Sequence, residues 1–248
     1  MQSHLAPMML LRLPAPFASN IRRCTAAWPL LLGVSLSAVG CGSDEGDPSS
    51  KPDAWIGNTY VLEVPEAKWT EPPGIGVEIS GFVPQFLVQV QGASGSDVEV
   101  LLGTGSMAEQ ESCGPTQTVT ASSSYPSMQI GPVDHPIYVR HATEDIEVAA
   151  TAYDLTLTDV LPGGGSATGE LVATMDMREL YPLFTLLITP TPETVCTALS
   201  MSSAMVPCEY CGDGEPFCLT IKAEGVVAEP SDLTVQPIDA GALDASCQ

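Results

Sequence analysis

Cysteine is the residue type in this 248-residue chain whose spacing most invites chemistry. Of eight cysteines, six follow one another from Cys113 onward: Cys113, Cys196, Cys208, Cys211, Cys218 and Cys247. Cys208-Glu209-Tyr210-Cys211 has the spacing of a redox dithiol. Such a pair works when a helix N-terminus lowers the pKa of one thiol. Here Gly212-Asp213-Gly214 follows at once, and a helix does not begin that way. Cys208, Cys211 and Cys218 with one further ligand could instead bind zinc, which requires thiolates. The remaining reading is structural: in an oxidising compartment an even set of cysteines closes into bridges. Four of the six crowd into residues 196–218, so two bridges are expected there, with Cys113–Cys247 as the third.

Other reactive groups are sparse. Beyond the first forty residues there are two histidines, His135 and His141. On one strand they share a face, but at ~3.3 Å per residue they stand about 20 Å apart, too far for one metal. No metal site is expected, and no cofactor. Gly103-Thr104-Gly105-Ser106-Met107-Ala108 follows a strand-like run and matches a dinucleotide fingerprint with Ala in the last position. That fingerprint needs a helix behind it to hold the pyrophosphate. Gly114-Pro115 arrives too soon for one, which leaves a loop. Neither a Gly-x-Ser-x-Gly elbow nor a His-Glu-x-x-His helix occurs. Carboxylates alone can catalyse hydrolysis, but among 30 acidic residues no pair stands out, and the catalytic residues are unassigned. Asp176 and Arg178 read as a helix cap with an ion pair.

The N-terminus carries an address. Residues 1–23 are basic and acid-free, and the apolar run TAAWPLLLGVSLSAVG spans residues 25–40 before Cys41. A charged segment, a short apolar segment and small residues at the end make a secretory signal. At 16 residues, with Pro29 inside, the run is shorter than the ~20 that span a bilayer. Ala38-Val39-Gly40-Cys41 resembles the lipobox of bacterial lipoproteins. That resemblance implies cleavage before Cys41, a diacylglyceryl group on its thiol and an acylated amino terminus. Two or more acyl chains hold a protein stably on a membrane. Gly42 rather than Asp after the cysteine leans toward the outer membrane. The expected division is signal peptide 1–40, acidic tether 41–54 and one β-rich domain 55–248.

Three of eight basic residues precede Cys41 and no acidic residue does, which leaves five basic against 30 acidic, a balance of −25. Nucleic-acid binding requires positive charge to displace counterions, so that class is excluded. With 44% hydrophobic residues the chain can bury a core. From Trp55 onward the apolar runs are short, often alternating, and punctuated by Gly, Pro and Ser. Strands are expected over residues 59–64, 86–90, 98–102, 117–121, 137–141, 146–158, 168–175 and 219–223. In residues 146–158 the apolar face changes parity, Ile146 and Val148 against Leu155 and Leu157, so a bulge is expected near Ala149–Ala152. Two short helices are expected, one after Asp176 and stopped by Pro182, the other from Thr191-Pro192-Glu193 with Val195 and Leu199 inward. The fold class is mainly β, a β-sandwich or partly closed barrel, stapled by disulfides.

The most apolar stretch of the mature part is Leu180-Tyr181-Pro182-Leu183-Phe184-Thr185-Leu186-Leu187-Ile188. It reads as core cover. Alternatively Leu180, Tyr181, Leu183, Phe184, Leu186 and Leu187 form the lip of an apolar cavity or a partner contact. The lipobox, the tether, the opening Trp55-Ile56-Gly57-Asn58-Thr59-Tyr60, the segment Gly169–Leu180 and Phe217-Cys218-Leu219 together resemble envelope lipoproteins of myxobacterial type. The resemblance implies an address and an architecture but no activity. The expected role is a lipid-anchored binding or scaffolding module, non-enzymatic, touching the membrane through its lipid and an unspecified protein or lipid partner. A carrier of an apolar ligand and an exported hydrolase are the alternatives.

Overall fold

A computed structural model describes residues 52–76, 83–141, 144–161, 163–183, 191–201 and 205–242. All of them belong to one compact unit, Asp44–Gln248. Nine antiparallel strands follow in order: β1 Thr59–Leu62, β2 Lys68–Glu71, β3 Phe86–Ser94, β4 Asp97–Thr104, β5 Gln117–Ser124, β6 Ser127–His141, β7 Glu144–Thr158, β8 Ala167–Asp176 and β9 Cys218–Ser231. Eight of them, all but β2, run in the order β1-β3-β4-β5-β6-β7-β8-β9, and β9 returns to pair with β1. The sheet is therefore a closed barrel, the fuller form of one of the two expected architectures. β2 continues along β9 past the end of β1, with Lys68 opposite Glu224 and Trp69 opposite Ala223.

Alternation explains which residues face inward. Val98, Val100 and Leu102 of β4 join the core while Glu99 points out. Leu171, Ala173 and Met175 do the same on β8. β7 switches parity as its sequence requires: Ile146, Val148 and Ala150 are buried, then Tyr153, Leu155 and Leu157. The switch is a bulge. Its pairing with β8 shifts between Thr151 and Asp154, and Ala152 has φ +51°. Opposite it Gly131 has φ +105°, and a Cβ there would lie 2.1 Å from the Tyr153 carbonyl oxygen. Only glycine lets β6 and β7 approach this closely.

On β3 and β4 the outward-facing Leu87 and Leu101 are buried as well, because the outer face is covered there. A second cluster, Val61, Leu87, Leu101 and Val235, lies outside the barrel beneath the segment after β9. That segment straps the wall. Thr59 Oγ1 donates to the Leu233 carbonyl at 2.7 Å, and Gln110 exchanges two hydrogen bonds with the Gln236 backbone. Thr116 does the same with Ile238, its backbone N–H donating at 2.9 Å and its Oγ1 accepting at 2.8 Å.

The barrel has two unlike ends. At the near end the chain enters through a short 3₁₀ turn, Pro52–Trp55. Trp55 is buried and stacks on Tyr125 of the β5–β6 turn, with centroids 6.2 Å apart. The far end carries the two expected helices. The first is a 3₁₀ helix, Met177–Leu183, capped where Asp176 Oδ1 accepts the Arg178 N–H at 3.0 Å. The second is α1, Pro192–Met201, with Val195 and Leu199 buried. Cys196–Cys208 ties α1 to the chain beyond it, and Cys211–Cys218 closes a loop onto the start of β9. Peptide mapping without reductant should recover these two bridges. Leu155→Ala, at a fully buried position, should lower stability by about 2–5 kcal/mol in urea unfolding.

Candidate functional site

The barrel interior is occupied by its own side chains. Trp55, Tyr60, Phe86, Met128, Ile130, Tyr153, Leu155, Leu157 and Leu171 are all at most 2% exposed. Eight strands give a bore that side chains just fill. The clefts that can be described among these residues lie on the wall and rim.

Among the described residues the wall opens into a seam between β5 and β6. β5 and β6 pair only from Ala121↔Ile130 to Ser124↔Ser127. Past that point, toward the far end, the two strands separate. Gln117 bridges them by donating from Nε2 to the Asp134 carbonyl at 3.1 Å. Its Oε1 lies 2.7 Å from His135 Nδ1. Because the amide nitrogen is committed to a carbonyl, Oε1 is the acceptor and the imidazole carries its proton on Nδ1. His135 is 2% exposed and meets the Tyr153 ring edge-on at 5.5 Å. Burial lowers its pKa to about 4, so it is neutral at neutral pH. This histidine is a wall plug.

Outside the seam lies a groove of about 440 Å³ whose lining includes Leu101, Thr118, Pro136, Tyr138 and Ile238. Tyr138 donates its hydroxyl to Glu147 Oε2 at 2.9 Å. Burial first, then this carboxylate, raises the Tyr138 pKa. A smaller cleft of about 250 Å³ shares Tyr138 and adds Glu109 and Ser106. At the near end a polar cleft of about 670 Å³ lies between Asn58, Gly164, Ser231 and Thr234.

The far end holds a charge clamp. Arg178 meets Asp176 through Nε at 2.9 Å and Asp213 through Nη1 at 2.7 Å, and its guanidinium lies 5.7 Å from the Phe217 ring centre. The clamp fastens the Cys211–Cys218 loop to the end of β8. Asp213 has its pKa lowered by the Glu215 N–H and then by Arg178. Glu193 is lowered by its hydrogen bond with Thr191. Both resolved carboxylate shifts among the described residues are downward, the opposite of what a general acid needs. On the outer wall Lys222 lies 3.0 Å from Glu170 and 3.6 Å from Glu224.

The sequence-predicted residues fall in several places. Cys208 and Cys211 belong to different bridges, so they are neither a dithiol pair nor zinc ligands. Cys113 is disulfide-bonded, while Cys247 and Cys41 lie outside the described residues. Leu180 is buried in the core, where it makes no surface contact, and Tyr181 is 38% exposed. Leu183 ends the 3₁₀ helix, and Phe184, Leu186 and Leu187 lie outside the described residues. The glycine-rich run from Gly103 to Ala108 is the end of β4 and a turn, closed by Ser106 N–H to the Glu109 carbonyl at 2.8 Å. Sequence reasoning missed the strap and the seam. Gly131-Pro132 inside an alternating stretch was the available signal for the latter, since proline cannot sit in a fully paired strand.

Comparisons with protein-family models, with curated proteins and with solved structures found no match. The geometry is that of a closed β-barrel whose described inward side chains are buried, with a groove on its outer wall.

His135 makes stability depend on pH. The unfolded imidazole takes a proton near pH 6.5, whereas the folded one stays neutral down to about 4. The unfolded state thus binds more protons between these values, and stability falls as pH drops through them, by up to ~3 kcal/mol. Above pH 6.5 this group contributes no slope. In urea unfolding from pH 7 to pH 4, His135→Gln should lose less stability than the unchanged protein.

Proposed function

We propose that this chain is a lipid-anchored protein of the bacterial envelope, held in the outer membrane through Cys41, and that its barrel is a binding module working from its outer surface. The observation that carries the second half is the filled interior: a ligand inside would have to displace Tyr60, Phe86, Tyr153 and Leu155, all buried. Each such displacement forfeits roughly 1.5–3 kcal/mol of burial, more than a small apolar ligand recovers. Two bridged cysteine pairs fit an oxidising compartment. The chain enters the barrel at the near end, beside Tyr125.

A carrier is the second reading, because closed eight-stranded barrels are also the architecture that encloses single small ligands. The two differ in a mass. Cells fed labelled palmitate should label the unchanged protein and not Cys41→Ala, which should accumulate as a precursor longer by its signal segment. Equal labelling and equal size for the two proteins would reject the anchor. Native mass spectrometry of the detergent-released protein should show polypeptide plus covalent acyl groups alone; a co-purifying apolar molecule would favour the carrier.

A further inference from the structure

The seam leaves part of β6 without a strand neighbour. On its β7 side the strand is paired from Met128 to His141. On its other side pairing with β5 ends at Ile130, and no further strand joins it among the described residues. The direction of the open backbone groups follows from one hydrogen bond. The Asp134 carbonyl accepts from Gln117 of β5, so it points across the seam. Backbone groups along a strand alternate sides. The carbonyl of Pro136 and both backbone groups of Tyr138 and Arg140 therefore point the same way, along the wall of the groove. Pro136 removes one donor at the inner end, the usual protection of an edge, but the edge beyond it carries no proline.

The groove also has a sign. Asp239 lines it, Glu147 accepts the hydroxyl of its Tyr138, and Glu109 lies in the cleft that shares Tyr138. Its floor is apolar, from Leu101, Pro136 and Ile238. A second copy of this chain is a poor occupant, since the part beyond Cys41 has 30 acidic and five basic residues and like-charged surfaces repel. An anionic lipid surface is disfavoured on the same ground. What fits is a chain segment with free backbone groups, alternating apolar side chains for the floor and basic side chains for the rim.

We infer that residues 136–140 of β6 take up an extended, basic polypeptide segment of a partner protein, which adds to the barrel wall as one more strand. This deepens the binding-module reading and rests on it. Main-chain hydrogen bonds would supply affinity and the acidic rim selectivity, the arrangement of strand-addition complexes.

The test uses the full mature protein and the peptide acetyl-Lys-Val-Thr-Val-Lys-Val-Lys-amide, with two control peptides. One control carries N-methyl groups on alternate residues, and the other has glutamate in place of every lysine. In calorimetry at near-physiological salt the first peptide should bind one to one. N-methylation should weaken binding at least tenfold, and the glutamate peptide should not bind. Asp239→Asn with Glu109→Gln should weaken the lysine peptide several-fold and leave thermal unfolding unchanged. Equal binding of the N-methylated and plain peptides would overturn strand addition, as would no binding of the plain peptide at millimolar concentration. Native mass spectra of the same samples keep the two claims apart. A peptide-free protein carrying a bound apolar molecule refutes the binding-module reading, whereas a protein carrying neither refutes only the strand-addition site.

Discussion

The structure depends on one geometric constraint: eight strands close into a tube whose bore must be filled. Every inward position has to carry a side chain that reaches the axis without colliding with its neighbour across it. Large residues such as Tyr60, Phe86, Tyr153 and Leu155 alternate with small ones such as Ala121, Ala150, Ala173 and Ala223, all of them in the core. The parity switch in β7 serves the same requirement, because it brings Tyr153 inward where Ala152 would otherwise point. Gly131 is its counterpart, and the divergence of β5 and β6 follows from the bend. The Gln117–His135 pair then closes the inside of the gap that the bend creates.

The amino-acid sequence carries most of the barrel in its alternation. Eight expected strands correspond to eight observed ones, but β6 begins ten residues before the expected 137–141 and β9 runs eight residues past the expected 219–223. The bulge in β7 could be read from Val148 and Leu155 having opposite parity. Both short helices could be read from their caps, although the first is a 3₁₀ turn, since Pro182 denies it an α-helical hydrogen bond. Closure could not be read, because it is a pairing between Thr59–Leu62 and Ala228–Ser231 and nothing local to either segment specifies it. The same holds for β2, four half-polar residues whose strand partner among the described residues is β9.

The strap shows why apolar alternation alone is an incomplete guide. Leu87 and Leu101 face away from the bore, and alternation would place them in water. They are buried because the chain returns across them with Leu233 and Val235. The site was hidden for a related reason. A groove over a seam is made by backbone divergence, which leaves a weak trace in composition: a proline, a glycine and a polar side chain where a strand should have none.

Closure also orders events in time. Residues 59 and 231 are partners, so the earliest strand of the wall remains one-sided until almost the whole polypeptide is present. Hairpins such as β6–β7 and β8–β9 differ in kind: the first joins neighbours in sequence, the second spans the bridged helical insert. Pairings of such separation are slow to form because the ends must first find each other. A polypeptide with this wiring can pair β3 through β8 as neighbours, but its wall closes only once residues 228–231 meet β1.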